Sequence, residues 1–379
     1  MKPTRDSTSV FSTKTPAVSS PAHPRPSTPA SLGYTMPPEW HPHQSTWLVW
    51  PTNSTTWPDS VPQVQDTYLR LLDLLTHSER VDLLVDDAET ERFIRERLGP
   101  ASVPAERVVF HHIKTTDSWI RDYGPNFLLR TTQGKIEPAF NHWKFNAWGN
   151  KYQDLKEDAD IPERLQTLLD MPCFHPALVL EGGSIEVNGA GVCLSTRQCL
   201  LNPNRNPSRS EAEISQCLKD YLGIGHVVWI SRGIAGDDTD GHVDNLARFV
   251  NRRTLVCALE EDPADENYEA LQENYQRLQE ARDEQGNPFE VIPLPMPLPV
   301  ERDLGRLPAS YANFYIANQR ILLPNFGHRR DGQARDVLQR VFPNRQVVGV
   351  DSRALIWGRG ALHCLTLQQP AAMSTKLDT

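Results

Sequence analysis

Gly236-Asp237-Asp238-Thr239-Asp240-Gly241-His242-Val243-Asp244-Asn245 runs without a break into Leu246-Ala247-Arg248-Phe249-Val250. A charge run of this kind is by default a solvated loop. Here the Gly241-His242 step and the apolar continuation point instead to a loop that feeds directly into a buried strand. His242 and Asp244 stand two residues apart, so on a strand they would face the same side. A second segment has the same make-up: the apolar run Ala177-Leu178-Val179-Leu180 leads into Glu181-Gly182-Gly183. A third, Gly358-Arg359-Gly360-Ala361-Leu362-His363-Cys364, continues as a strand through Leu365-Thr366-Leu367. Chemically able residues next to glycines at strand ends fit α/β units repeated around a centre, although no repeat is evident residue by residue.

The intervening chain alternates accordingly. Leu69 to Leu75 gives a helix an apolar face, and Arg80 to Val85 follows as a strand. Glu89 to Leu98 reads as a helix and Arg107 to Phe110 as a strand. Ser184 to Val187 and Val192 to Ser195 flank Asn188-Gly189 as a hairpin. Ser210 begins a helix to Leu222, with Glu213 three residues on to complete a capping box. His226–Ile230, Thr254–Leu259, Phe289–Leu294 and Gln346–Val350 are further strands; Asp265–Asp283 and Gln333–Val341 are further helices. The alternating Pro293, Pro295, Pro297 and Pro299 suit an extended surface connection.

Of 379 residues, 39% are hydrophobic, with 9 Trp and 12 Phe, which is enough for a sizeable core. A net charge of −9 argues against a nucleic-acid partner and is compatible with a cationic small molecule. The six cysteines include no CxxC pair, which reads as reduced thiols in the cytoplasm. The Pro-Cys-x-x-Cys half of a zinc deaminase signature is absent. No apolar run approaches ~18 residues, so no membrane helix is expected. Ser, Thr and Pro supply 17 of the first 30 residues, so residues 1–33 are expected to form a disordered leader. With two Arg and no amphipathic pattern, it reads as a leader without function or a misplaced start more readily than as a transit peptide. One catalytic domain over 34–371 and a short tail, 372–379, would complete the chain.

Taken singly, the chemical segments keep bland readings. Asp117-Ser118-Trp119-Ile120-Arg121-Asp122-Tyr123-Gly124-Pro125 projects Asp122 from a fixed Gly-Pro turn, but would also serve as a surface turn with an Arg–Asp pair. Glu181 could be an edge residue at a turn, where two glycines let a ligand approach the backbone. Cys364 could be a core cysteine. No third His or Cys near His242 and Asp244 suggests a metal site.

Taken together and in order, the segments resemble the agmatine deiminase / bacterial-type peptidyl-arginine deiminase family of guanidine-modifying enzymes. The matching stretches include Met36-Pro37-Pro38-Glu39-Trp40, the Asp-Ser-Trp-x-Arg-Asp-x-Gly-Pro run and Asn146-Ala147-Trp148-Gly149. Leu180 to Ile185, Leu201-Asn202-Pro203-Asn204-Arg205-Asn206-Pro207 and Asp240 to Asn245 match too. So do Ser310-Tyr311-Ala312-Asn313-Phe314-Tyr315 and His363-Cys364 with Gln368-Gln369-Pro370. The resemblance implies a pentein α/β propeller, five ββαβ-type units around a pseudo-fivefold axis with the site at the centre. It also implies hydrolysis of a small cationic guanidine, agmatine first and peptidyl-arginine or another guanidine as the alternative, without cofactor or metal. A homodimer is compatible with it.

By motif position, the resemblance implies that Asp122 and Asp244 hold the guanidinium, with Glu181 contacting it or moving protons. Cys364 is the implied nucleophile and His242 the acid and base. Trp119 and Asp238 match amine-end contacts. Tyr123, Arg359, Ala361 and Leu367 depart from the common pattern; they lie beside the acting groups and bear on specificity. A Cys-His-Asp acyl hydrolase would need an oxyanion hole, which a site lined with acids does not suit. A non-catalytic guanidine binder would have no use for both Cys364 and His242.

Overall fold

A computed structural model describes residues 27–102, 104–302 and 305–372. Most of the expected leader, 1–26, and the tail from 373 lie outside the described residues; within 27–33 a 3-10 turn, Ala30–Leu32, leads to the buried Tyr34.

Five sheets repeat one connection, a strand, an antiparallel neighbour, a helical crossover and a third strand parallel to the second. They comprise Asn126–Thr132, Lys135–Asn141 and Cys173–Phe174; Ile185–Val187, Val192–Thr196 and His226–Ile230; Ala247–Phe249, Thr254–Leu259 and Glu290–Pro295; and Tyr315–Ile316, Arg320–Asn325 and Gln346–Asp351. The fifth draws on both ends of the chain: Leu367–Pro370 lies antiparallel to His43–Val49, which runs parallel to Arg80–Val85, with Val108–His112 as an added edge. This is the ββαβ pattern expected for a pentein α/β propeller.

Local chemistry explains each unit. In the crossover helix Glu211–Leu222, Ser210 and Glu213 form the reciprocal capping box, and Gly223 ends the helix at φ 65°. Ile214, Leu218 and Leu222, spaced by four, turn one stripe inward. Beneath it, Val192–Thr196 is buried along its whole length, as the middle strand of a covered sheet must be.

Three expectations need correction. Cys364 is on a short helix, Leu362–Leu365, and the strand begins only at Leu367. His242 and Asp244 also precede their strand: His242 caps the 3-10 turn Val243–Asn245, which holds Asp244. Pro293 and Pro295 belong to Glu290–Pro295, an edge strand, where the missing N–H groups are tolerated. The first two share a cause. Each unit enters its first strand through a short turn, and at the centre these turns replace the strand ends expected from the apolar pattern.

The units meet at a buried ion cluster. Arg248, fully buried, donates Nε to Glu186 at 2.8 Å and Nη2 to Glu39 at 2.7 Å. Its Nη1 donates to the Phe314 carbonyl at 2.7 Å. Glu39 also accepts from the Ile316 backbone N–H at 2.8 Å and pairs with His363 Nε2 at 2.8 Å. Arg248→Met would leave Glu39 and Glu186 buried without their shared cation. Urea unfolding should show a loss of about 3–5 kcal/mol, with part recovered when Glu186→Gln is added; a loss below about 1 kcal/mol would mean that the cluster contributes little.

Candidate functional site

The turns Leu362–Leu365, Ile120–Tyr123, Gly182–Ser184 and Val243–Asn245 pack one against the next, and their side chains converge on Gly183. A Cβ added there would lie 2.6 Å from His242 Nδ1 and 2.9 Å from both Asp122 Oδ1 and Asp244 Oδ2. Only glycine allows that approach. Its N–H donates to Asp122 Oδ1 at 2.9 Å, and Trp148 Nε1 donates to Asp122 Oδ2 at 2.9 Å. His242 is 3.7 Å from Asp122 and 3.6 Å from Glu181. Neither ring nitrogen of His242 has a hydrogen-bond partner among the described residues, nor does Asp244 Oδ1. Buried polar atoms left open in this way mark a place where a ligand's donors and acceptors belong.

Cys364 Sγ completes the group. It accepts from Asn313 Nδ2 at 3.2 Å and lies 3.6 Å from Asp244 Oδ2. Asp244 is oriented by His363 Nδ1 at 2.8 Å. Burial, then Asp244 and Asp122, pushes the Cys364 thiol well above its ordinary range. Burial opposes the charged form of His242, but Asp122, Cys199 and Glu181 outweigh it and hold the imidazolium well above its usual range. Burial raises Asp122. Burial would raise Asp244 and Glu181 too; His363 overcomes it at Asp244, and His242 with Arg205 at Glu181, so both are lowered. Without a ligand, the electrostatics thus favour a neutral thiol and an imidazolium beside the carboxylates of Asp244 and Glu181.

A cavity of about 1170 Å³ opens above these groups. Asp122, Trp119, Asp238 and Cys364 line it, while Glu181, His242 and Asp244 lie fully buried behind them. At the mouth Asp238 accepts from Tyr152 and lies 3.8 Å from Arg359 Nε, and Arg359 Nη1 donates to the Gly236 carbonyl at 3.0 Å. Burial raises the Asp238 carboxyl. Of the departures from the family pattern, Arg359 lines the cavity; Tyr123, Ala361 and Leu367 are buried and do not line it, the Tyr123 hydroxyl donating to the Asp117 carbonyl at 2.6 Å.

All seven residues singled out in the sequence therefore gather at one cleft. Several partners carried no assigned role: Arg205 on Glu181 at 2.7 Å, Trp148 on Asp122, Asn313 on the thiol, His363 on Asp244, and Cys199 with Sγ 3.9 Å from Glu181. Arg205, Trp148, Asn313 and His363 lie in matched stretches, which was the only signal available; Cys199 had none. Cys199 supplies the third donor not expected beside His242, since the ligand atoms of Glu181, Cys199 and His242 lie within 4.8 Å of one another. Arg205, paired with Glu181, and the elevated imidazolium both disfavour a second cation there.

Comparison with known proteins agrees with this geometry. The family model for Porphyromonas-type peptidyl-arginine deiminase matches residues 35–370. An agmatine deiminase of Medicago truncatula is 38% identical over 374 residues, covering 91% of this chain and 98% of that protein. The solved agmatine deiminase of Enterococcus faecalis superposes with a TM-score of 0.85 at 30% identity, covering 92% of this chain and 99% of that one. A cysteine-to-serine variant of the C. jejuni agmatine deiminase with substrate bound gives 0.80 at 29% identity, covering 90% and 97%. With the motif order, the five-unit fold and these full-length matches in agreement, the chain belongs to the Porphyromonas-type peptidyl-arginine deiminase family.

Proposed function

We propose that this chain is an agmatine deiminase, hydrolysing agmatine to N-carbamoylputrescine and ammonia, a step from arginine towards putrescine. The observation that carries the reading is the buried Asp244 carboxylate: its Oδ1 has no hydrogen-bond partner among the described residues, while its Oδ2 lies 3.6 Å from Cys364 Sγ and, like Asp122 Oδ1, against Gly183. A guanidinium is planar and cationic, with N–H donors in a fork, so two carboxylates suit it through charge-assisted bonds. The similarity to agmatine deiminases over nearly the whole chain supports the same choice.

In this reading Asp122 and Asp244 hold the guanidinium, the Cys364 thiol loses its proton to solvent as the cation binds, and the thiolate attacks the central carbon of the guanidinium. His242, as imidazolium, gives its proton to the departing nitrogen. The C–N bond breaks, ammonia leaves and an amidino-cysteine remains. Neutral His242 then takes a proton from water, whose oxygen attacks the same carbon; the C–S bond breaks and the ureido product is released. Glu181, held by Arg205, keeps the imidazole charged at the first step and contacts the guanidinium or moves protons. At the far end Asp238 meets the amine, with Trp119 as an apolar and aromatic wall. The volume of the cavity and the pairing of Arg359 with Asp238 favour, as the second reading, a larger guanidine such as peptidyl-arginine. The proposal carries with it a cytoplasmic enzyme and accommodates a homodimer.

Ammonia release from agmatine, free arginine and an arginine peptide, measured side by side, tests the assignment. Agmatine should be preferred; preference for the peptide would promote the second reading, and no activity on any of them would overturn both. A further expectation concerns the thiol. Because burial and two carboxylates raise its pKa in the free enzyme, thiolate should appear only above the ordinary thiol range. A bound cation reverses the local sign and should lower the apparent pKa. Ultraviolet thiolate absorbance, taken as a difference from Cys364→Ser with and without an unreactive guanidinium ligand, checks this. A low value in the free enzyme, unchanged by ligand, would refute it.

A further inference from the structure

Away from the cleft, Lys135–Asn141 and Cys173–Phe174 run parallel, with Asn141 opposite Phe174. One residue further along each segment stand His142 and His175, and the His142 N–H donates to the Phe174 carbonyl at 2.8 Å. The two imidazole rings meet edge to face, with centroids 5.5 Å apart. A nitrogen from each ring and Cys173 Sγ all lie within 4.8 Å of one another. None of the three residues lines the large cavity.

The imidazole of His142 is already set for a ligand. Its Nε2 is 2.8 Å from the Ala159 carbonyl, and a carbonyl only accepts, so Nε2 carries the proton and Nδ1 presents a bare lone pair. Nδ1 is buried and has no hydrogen-bond partner among the described residues. A metal-binding histidine typically has this outer bond, which fixes the tautomer and aims the other nitrogen. The Glu163 carboxylate adds negative potential at the thiol, which attracts a cation. His175 is exposed and leaves one side open to water.

We propose that His142 Nδ1, Cys173 Sγ and a ring nitrogen of His175 form a binding site for one divalent cation of the zinc class, separate from the catalytic cleft. Two nitrogens and one sulfur suit zinc better than calcium or magnesium, which prefer oxygen donors. Zinc bonded at about 2.0–2.3 Å spans tetrahedral donors roughly 3.3–3.8 Å apart, and the exposed His175 side chain can turn to close the remaining gap. As the sulfur–metal bond forms, the thiol loses its proton to solvent and water fills the fourth position. The bound ion would tie the edge strand to the rest of its sheet.

Titration of the full, metal-free chain with Co2+ tests the site through the thiolate-to-cobalt charge-transfer band, followed by displacement with zinc. One equivalent should produce the band in the wild type and in Cys199→Ser and Cys364→Ser. Cys173→Ser should abolish it, and His175→Gln should weaken binding by about 10-fold or more. Zinc should raise the melting temperature of the wild type but not of Cys173→Ser. His175 is exposed, so its variant decides the matter if Cys173→Ser folds poorly; agmatine turnover reports the fold of both. A wild type without the band, or a band indifferent to His175→Gln or surviving Cys173→Ser, would overturn the proposal.

Discussion

Arg248 has no contact with solvent, yet its guanidinium touches Glu39 before the first strand, Glu186 in the unit that follows Glu181, and backbone carbonyls in the unit of Tyr315. Glu39 in turn holds His363, next to Cys364, and lies 3.8 Å from Arg121, next to Asp122. Every unit thus contributes to one buried charge cluster. Removing the charges from water is costly, and a cluster of this kind gains little over an apolar core. It does penalise displacement: withdrawing any one member leaves another charge buried without its partner. Five sheets joined by short turns could otherwise slide past one another, and the cluster fixes their relative register within hydrogen-bonding distance of the reacting groups.

The site continues that cluster by one further shell. His363 binds Glu39 through Nε2 and Asp244 through Nδ1, both at 2.8 Å, so one imidazole links the ion cluster to the cleft. Beyond Asp244 the pairing stops, and an unfilled carboxylate oxygen, an unpartnered imidazole and a thiol remain. The same carboxylates that would attract a guanidinium oppose ionisation of Cys364. Under the proposed function the substrate's own charge resolves this conflict, so the nucleophile becomes competent only in the complex. Such coupling would limit side reactions of the thiol between turnovers.

The fold and the acting groups were largely legible because glycines and prolines punctuate the chain where backbone must approach backbone or ligand. The capping box at Ser210 and the strand Thr254–Leu259 came directly from local pattern, since local propensity and burial agree there. The short turns carrying His242, Asp244 and Cys364 read as strand because their neighbours are apolar, and burial alone does not separate a four-residue helix from a strand. Arg248 sat in plain view within an apolar run, but one residue cannot reveal that its partners come from residues 39 and 186. Cys199 and His142 were silent for the same reason: their chemistry arises from contacts between segments, and one sequence records no contacts.

The closing of the fifth unit by Leu367–Pro370 explains why Cys364, the nucleophile of the proposed function, is so near the end of the chain. Cys364 lies three residues before a strand whose only ladder partner among the described residues is His43–Val49, so its position depends on pairing the last strand with the first. Each of the other units offers the corresponding turn, and the contributions differ in charge: Asp122, Glu181, His242 with Asp244, and the neutral Asn313. The neutral one faces the sulfur, where its N–H can stabilise a thiolate at 3.2 Å without either neutralising the neighbouring acids or adding to their repulsion. An acid there would raise the thiol further, and a cation would compete with the guanidinium for Asp244. Under the proposed function, an amide supplies a donor at Cys364 and leaves the carboxylates free for the substrate.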